Sequence, residues 1–253
     1  MRVTFLGTGT SQGVPVIGCT CEVCQSLDYR DKRLRSSVHI QVNGKSLVID
    51  SGPDFRQQML RERIEKLDAI LLTHSHKDHI AGLDDVRAYN FVQKMDMPVY
   101  GTSSTLRQLE VEFYYAFEKN KYPGTPQLTL CEIADADFSI QDISITPLPV
   151  LHFRLPVLGY RIGDFSYITD ANQIPEETLT RLKGTKILVI NALQREKHIS
   201  HFNLQEALEA AGKIGADQTY LIHISHKLGR HNVVEKELPK SVALAYDGLV
   251  IEL

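Results

Sequence analysis

Short runs of branched and apolar residues recur along the chain, each bounded by glycine, proline or polar residues. They cover residues 2–6, 38–42, 46–49 and 67–73 early on, and 145–151, 165–169 and 218–222 later. Their length predicts strands, and an unbroken run such as Ala69-Ile70-Leu71-Leu72 predicts a strand buried on both faces. Helix-like segments alternate with them, at 54–64, 83–94, 103–117, 176–182 and 203–214. This interleaving predicts an α/β (α+β) sandwich of sheets flanked by helices. No stretch is linker-like or low in complexity, so residues 1–253 are expected to form one elaborated domain.

Candidate chemistry sits where the runs end. Directly after the buried run comes Thr73-His74-Ser75-His76-Lys77-Asp78-His79, with three histidines and a carboxylate in six positions. Imidazole and carboxylate suit zinc, manganese or iron, and four such groups exceed what one ion usually draws from one loop. The loop therefore reads as half of a two-metal hydrolytic centre. A second cluster, Cys19-Thr20-Cys21-Glu22-Val23-Cys24, holds three of the four cysteines and needs one more ligand to close a tetrahedral zinc site. Cys131 lies in a strand-like run, where a buried thiol is the simpler role. His226 is the better fourth ligand, because His223-Ile224-Ser225-His226 lets one loop reach both centres.

The H-x-H-x-D-H loop resembles the signature of the metallo-β-lactamase superfamily. That resemblance implies an αββα sandwich of two mixed sheets with helices outside, and further ligands from later strand ends. His152, Asp170 and His223 each close a short β-like run and match those positions. By the same resemblance His74, His76 and His152 would hold one ion, and Asp78, His79 and His223 the other. Asp170 would bridge them, and Asp50 would support the loop by hydrogen bonding without binding metal. The Gly18-Cys19-x-Cys21-x-x-Cys24 cluster after a Gly7-Thr8-Gly9 loop, with the late His-Ile-Ser-His, is similar to the PhnP-type phosphodiesterases. The expected cofactors are two divalent cations in the active site, manganese or zinc, and one structural zinc on Cys19, Cys21, Cys24 and His226. Asp78 belongs to the catalytic set as a ligand. His201, just before the plausible helix cap Asn203, matches the family's general acid. A homodimer is implied by the resemblance alone.

Formal net charge is −3, so no basic surface advertises long nucleic acid. With two divalent cations, two carboxylates and one hydroxide the centre keeps about +1 formal charge, which favours a small anionic phosphodiester as substrate. Attack on phosphorus by a water acidified between the ions is the expected chemistry. Neither a signal peptide nor a membrane span is evident, and free thiols fit a reducing compartment, so a cytoplasmic location is expected. Three other functions share parts of the pattern. A tRNA 3′-processing-type nuclease would carry a protruding RNA-binding arm, and a PqqB-like accessory protein would lack the complete metal loop. An oxygen-reducing di-iron protein would have Glu where His76 stands.

The Gly7–Gly13 stretch has the wrong spacing for a dinucleotide fingerprint and reads as a tight loop lining the metal site. His39 reads as a strand residue, His198 and His231 as solvated, and segment 114–126 as a surface loop with some promise as a lid or oligomer contact. Arg56 and Arg154 are candidates for contacting a second phosphate.

Overall fold

Every large strand side chain must find cover, and here alternate residues find it on opposite sides. In the computed structural model, which describes residues 1–253, the strands are, in chain order, β1 (Arg2–Gly7), β2 (Ser37–Val42), β3 (Lys45–Ile49), β4 (Ala69–Leu71), β5 (Met97–Gly101), β6 (Leu128–Glu132), β7 (Phe138–Ile140), β8 (Ile143–His152), β9 (Leu155–Ile162), β10 (Phe165–Tyr167), β11 (Ile187–Asn191), β12 (Gln218–Ile222), β13 (Val242–Leu244) and β14 (Val250–Glu252). They form two seven-stranded sheets, ordered β14-β1-β2-β3-β4-β5-β6 and β13-β12-β11-β10-β9-β8-β7. Each sheet has an antiparallel half and a parallel half. In the first, β14, β1, β2 and β3 pair antiparallel and β3 to β6 parallel. In the second, β7 to β10 pair antiparallel and β10 to β13 parallel.

The faces explain the apolar runs. Leu47, Ile49, Ala69 and Leu71 of the first sheet meet Leu158, Tyr160, Tyr167, Val189 and Ile222 of the second in a central core. The residues between them point the other way. Val48 and Ile70 pack under α1 (Phe55–Arg61), α3 (Arg87–Gln93) and α4 (Ser103–Glu112). Leu188, Ile190 and Leu221 pack under α7 (Leu204–Ile214). The short helices α2 (Lys77–Ile80), α5 (Tyr114–Phe117), α6 (Glu176–Arg181) and α8 (His231–Val234) complete the chain. The expected αββα sandwich is the architecture observed.

Helix ends differ from the sequence reading for local reasons. The segment 83–94 divides into a 3-10 turn, Leu83–Val86, and α3, which ends at Lys94 in the left-handed conformation (φ 55°). Segment 103–117 breaks at Phe113 into α4 and α5. α7 begins with a capping box in which Asn203 and Glu206 satisfy each other's backbone N–H groups, as their spacing suggests. Segment 114–126 contains one helical turn and then surface turns, with Tyr122 exposed. No helix is long and apolar enough to cross a membrane.

The carboxyl ends of β3, β4, β8, β10 and β12 gather at one place. Gly52, just past β3, lies so close to the start of α2 that a Cβ there would stand 2.0 Å from the Asp78 carbonyl oxygen. That contact seats the β3 exit directly on the helical turn carrying Asp78 and His79.

Candidate metal centre

Three residues at these strand exits, Asp50, Asp170 and His223, hold φ near +60° (64°, 56° and 54°). Side-chain-bearing residues avoid this region at a cost of about 1–3 kcal/mol each, and such strain persists where the surroundings over-determine it. Here the sharp reversal turns each side chain back toward the cleft between the two loop sets.

Asp50 is fully buried and organises the histidine loop. Its Oδ1 accepts the Thr73 N–H at 2.8 Å, its Oδ2 accepts the Thr73 hydroxyl at 2.9 Å, and the same Oδ2 lies 2.7 Å from His79 Nδ1. With Nδ1–H donating to Asp50, His79 Nε2 carries the lone pair and faces the cleft. There it lies 3.1 Å from Asp78 Oδ2 and 3.5 Å from Asp170 Oδ1. His223 Nδ1 lies 3.0 Å from Asp170 Oδ1, and its Nε2 is 3.2 Å from the Thr10 hydroxyl. The ligating atoms of Asp78, His79, Asp170 and His223 all fall within 4.8 Å of one another.

Asp170 faces two ways. Its Oδ1 belongs to that group, while its Oδ2 lies 3.3 Å from His201 Nε2 and 3.9 Å from His74 Nε2. His74 Nε2 is 3.0 Å from His76 Nδ1. His152 donates through Nδ1 to the Ser200 carbonyl at 2.8 Å, which leaves its Nε2 free as a ligand. The expected trio of His74, His76 and His152 gathers at the cleft with ring spacings compatible with one shared ion. The ring centres of His74 and His76 are 5.9 and 5.2 Å from that of His152, and the tighter group is His152, Asp170 and His201.

The electrostatics call for a cation. Burial alone would lower His79, but the carboxylates of Asp78, Asp170 and Asp50 around it prevail and push it well above the usual imidazole range. Burial raises Asp170, yet His223 and His79 beside it hold it well below the ordinary carboxylate value. No lysine or arginine is ion-paired with Asp50, Asp78 or Asp170, whose close ionisable neighbours are imidazoles. His79 Nε2 and His223 Nδ1 are buried with no hydrogen-bond partner, their carboxylate neighbours being close but misaligned. Orphaned nitrogens facing carboxylates fit a divalent metal ion, which accepts lone pairs from both. His74 is held well below its usual range by burial, which keeps it neutral and ligand-competent. Burial likewise lowers His201 to about 4, against the pull of Asp170.

The cysteine cluster closes as its spacing suggests. His226 Nδ1 is 3.2, 3.4 and 3.5 Å from the sulfurs of Cys19, Cys21 and Cys24. Ligands on a tetrahedral zinc would stand about 3.5 Å apart at these bond lengths. The Cys24 N–H donates to Cys21 Sγ and lowers that thiol to about 6, a thiolate-favouring setting, whereas burial raises Cys24 to about 11. All four cysteines are free thiols. Cys131 takes no part and is only half-buried on β6, less covered than its strand suggested.

Other expectations are revised. His231 is buried, not solvated: its Nδ1 is 3.0 Å from the buried Arg33 guanidinium, and its backbone N–H donates to Asp31. His198 is exposed as expected, yet its Nδ1 lies 3.2 Å from His201 Nδ1. Thr10 lies in the Gly7–Gly13 loop expected to line the metal site but was not singled out, and Asn172 was not foreseen. The Gly-Thr-Gly loop contained the hint for Thr10, whereas nothing in the sequence marks Asn172. A surface cavity of about 660 Å³ lies at the opposite end of the first sheet, lined by Arg2, Lys45 and Lys66 among others. His39 is its only histidine, so ligating chemistry, rather than room, locates the site.

Comparison with known proteins agrees with this geometry. Residues 45–224 match the Beta-lactamase superfamily domain. The chain belongs to the metallo-β-lactamase superfamily. Within it, the chain is PhnP-like: a crystal structure described as a new diphosphatase from the PhnP family superposes with a TM-score of 0.94 at 41% identity, covering 100% of this chain and 98% of that one. Zinc-bound PqqB from Methylobacterium extorquens shares the fold, with a TM-score of 0.80 at 18% identity and full coverage of both chains. A protein named octanoyltransferase from Porphyromonas gingivalis is 44% identical over 98% of this chain, which spans about half (51%) of that relative. The superfamily match and this cluster of ligating groups fit a scaffold that holds divalent metal ions.

Proposed function

We propose that this protein is a metal-dependent hydrolase, a dinuclear phosphodiesterase acting on a small phosphodiester of the cyclic class, such as phosphoribosyl 1,2-cyclic phosphate. The observation that carries the reading is the two-faced Asp170, with Oδ1 turned to His79 and His223 and Oδ2 to His74 and His201. Asp78, His79, His223 and Asp170 would hold one divalent ion, and His74, His76, His152 and Asp170 a second, zinc or manganese in either place. Such ions would supply Lewis acidity for the phosphate oxygens and lower the pKa of a water toward neutrality.

The chain's own residues do the rest. Asp50 fixes the tautomer of His79, the Ser200 carbonyl fixes that of His152, and Thr10 holds His223. His201 Nε2, beside Asp170, is placed to pass a proton to the leaving oxygen. Burial favours the neutral imidazole there. Cys19, Cys21, Cys24 and His226 would hold a structural zinc in a reducing, cytoplasmic setting.

The diphosphatase of the PhnP family supports phosphorus chemistry on this scaffold and raises the phosphoanhydride as a close variant. A second reading comes from the relative named octanoyltransferase, in which the activity would be acyl transfer or acyl hydrolysis. Because this chain spans only half of that relative, the name need not describe the shared half. The test is a turnover screen of metal-reconstituted protein against bis(p-nitrophenyl) phosphate, nucleoside and sugar cyclic phosphates, diphosphates, precursor tRNA and an octanoyl thioester. Hydrolysis of the cyclic phosphates ahead of every other substrate is expected. Preferential thioester turnover, or none with any phosphorus ester, would overturn the assignment.

A further inference from the structure

The hairpin joining β8 to β9 ends in two residues, Phe153 and Arg154, between the paired His152 and Leu155. Phe153 holds φ at +56°. At the first position of a two-residue hairpin loop such a conformation favours glycine, because a Cβ there crowds the backbone. Burial of the phenyl ring does not offset the strain, since Phe153 is 47% exposed. The conformation is instead fixed from outside. The Phe153 N–H donates to Asn172 Oδ1 at 2.7 Å, and Asn172 Nδ2 donates to the Ile199 carbonyl at 3.1 Å. Asn172 thereby ties the turn after His152 to the loop carrying His201, from a position two residues past Asp170. The Arg154 guanidinium sits 5.2 Å above the Phe153 ring centre and holds the ring in place. Ile199, also tied by Asn172, is exposed as well.

The geometry points to Phe153 and Arg154, with Ile199, as a binding lip at the rim of the metal centre that stacks a nucleobase on the non-scissile side of the substrate. Within the cyclic class proposed above, which includes sugar cyclic phosphates, those carrying a base are then bound more tightly than those without one, a refinement that rests on the phosphodiesterase reading. A strained, exposed aromatic beside the loop carrying His201 gains little from burial, but it presents a flat face next to the ligand cluster, which is what a base attached to a phosphate needs.

Titration calorimetry with adenosine 5′-monophosphate and ribose 5-phosphate tests it, alongside turnover of bis(p-nitrophenyl) phosphate. Wild-type protein should bind the nucleotide roughly tenfold or more tightly than the sugar phosphate. Phe153→Gly should erase that preference while its melting temperature stays level or rises, since glycine suits the turn; Phe153→Tyr should keep it. Should Phe153→Gly not fold, Phe153→Leu makes the same comparison. Equal affinities in the wild type, or a preference that survives loss of the ring, would refute the lip. Absence of phosphodiester turnover in the wild type would instead strike at the phosphodiesterase reading, because the calorimetric comparison does not depend on turnover.

Discussion

The two clusters of ligating side chains are built by opposite means. The cysteine site takes three ligands from six consecutive residues and one from afar, and it rests on a small satellite core of Val14, Val23 and Cys24. Most of it is half-exposed. The histidine and aspartate site draws on five strand exits from both sheets, is largely buried, and has its members cross-linked by Asp50, Thr73, Thr10 and Ser200. A local cluster needs a metal to hold its loop, whereas a distributed one is held by the fold. The first should therefore govern stability and the second reactivity.

Several experiments sharpen or break that contrast, and the largest effect concerns Asp170. Asp170→Asn should lower turnover by roughly 1,000-fold or more and reduce bound metal from three ions per chain toward one, read by elemental analysis. Retention of three ions with near-normal turnover would mean that Asp170 is not shared by both halves. His201→Ala should keep all metal and still lose roughly 100-fold in turnover, with a smaller loss for an activated leaving group such as p-nitrophenolate. Equal losses for good and poor leaving groups would remove it as the proton donor.

On the other side, Cys21→Ser should cost one ion and lower the melting temperature by roughly 5 °C or more, leaving turnover at low temperature within a few-fold of wild type. A collapse of turnover with the other two ions still bound would show that the centres are coupled through His223–His226.

The smallest effect lies outside both centres. Burial pushes His39 down to about 4 from its ordinary 6.5, and its Nε2 is 2.7 Å from the Ser46 hydroxyl. The unfolded chain takes up the proton first as pH falls, so the native state loses stability between pH 6.5 and 4 and is fully favoured above that window. The total is on the order of 3 kcal/mol. His39→Gln should flatten this part of the stability profile measured by denaturant unfolding at several pH values. An unchanged slope would assign the acid sensitivity to other groups, such as the similarly buried His231.

The strands leading into the site were legible because burial on both faces demands unbroken apolar runs, whereas β5, β7, β9, β11, β13 and β14 were not named from the sequence. Helix ends were less legible: Phe113 and the 83–86 turn interrupt helices where tertiary packing outweighs modest local propensity. The burial of His231 escaped notice because its partner, Arg33, lies almost two hundred residues earlier (|i−j| = 198).

What the sequence by itself determined is the inventory: the ligand types, their place at the ends of strands, and the spacing that lets three thiols share one ion. Those are properties of neighbouring residues, and short-range chemistry fixes them. Only the tertiary structure decided how closely each oxygen of Asp170 meets its neighbours, that the His201 ring sits 4.5 Å from that of His152, and that Asn172 clips two loops into a rim. Such relations depend on how two sheets pack face to face, because residues far apart along the chain acquire a distance only once a shared core has set it.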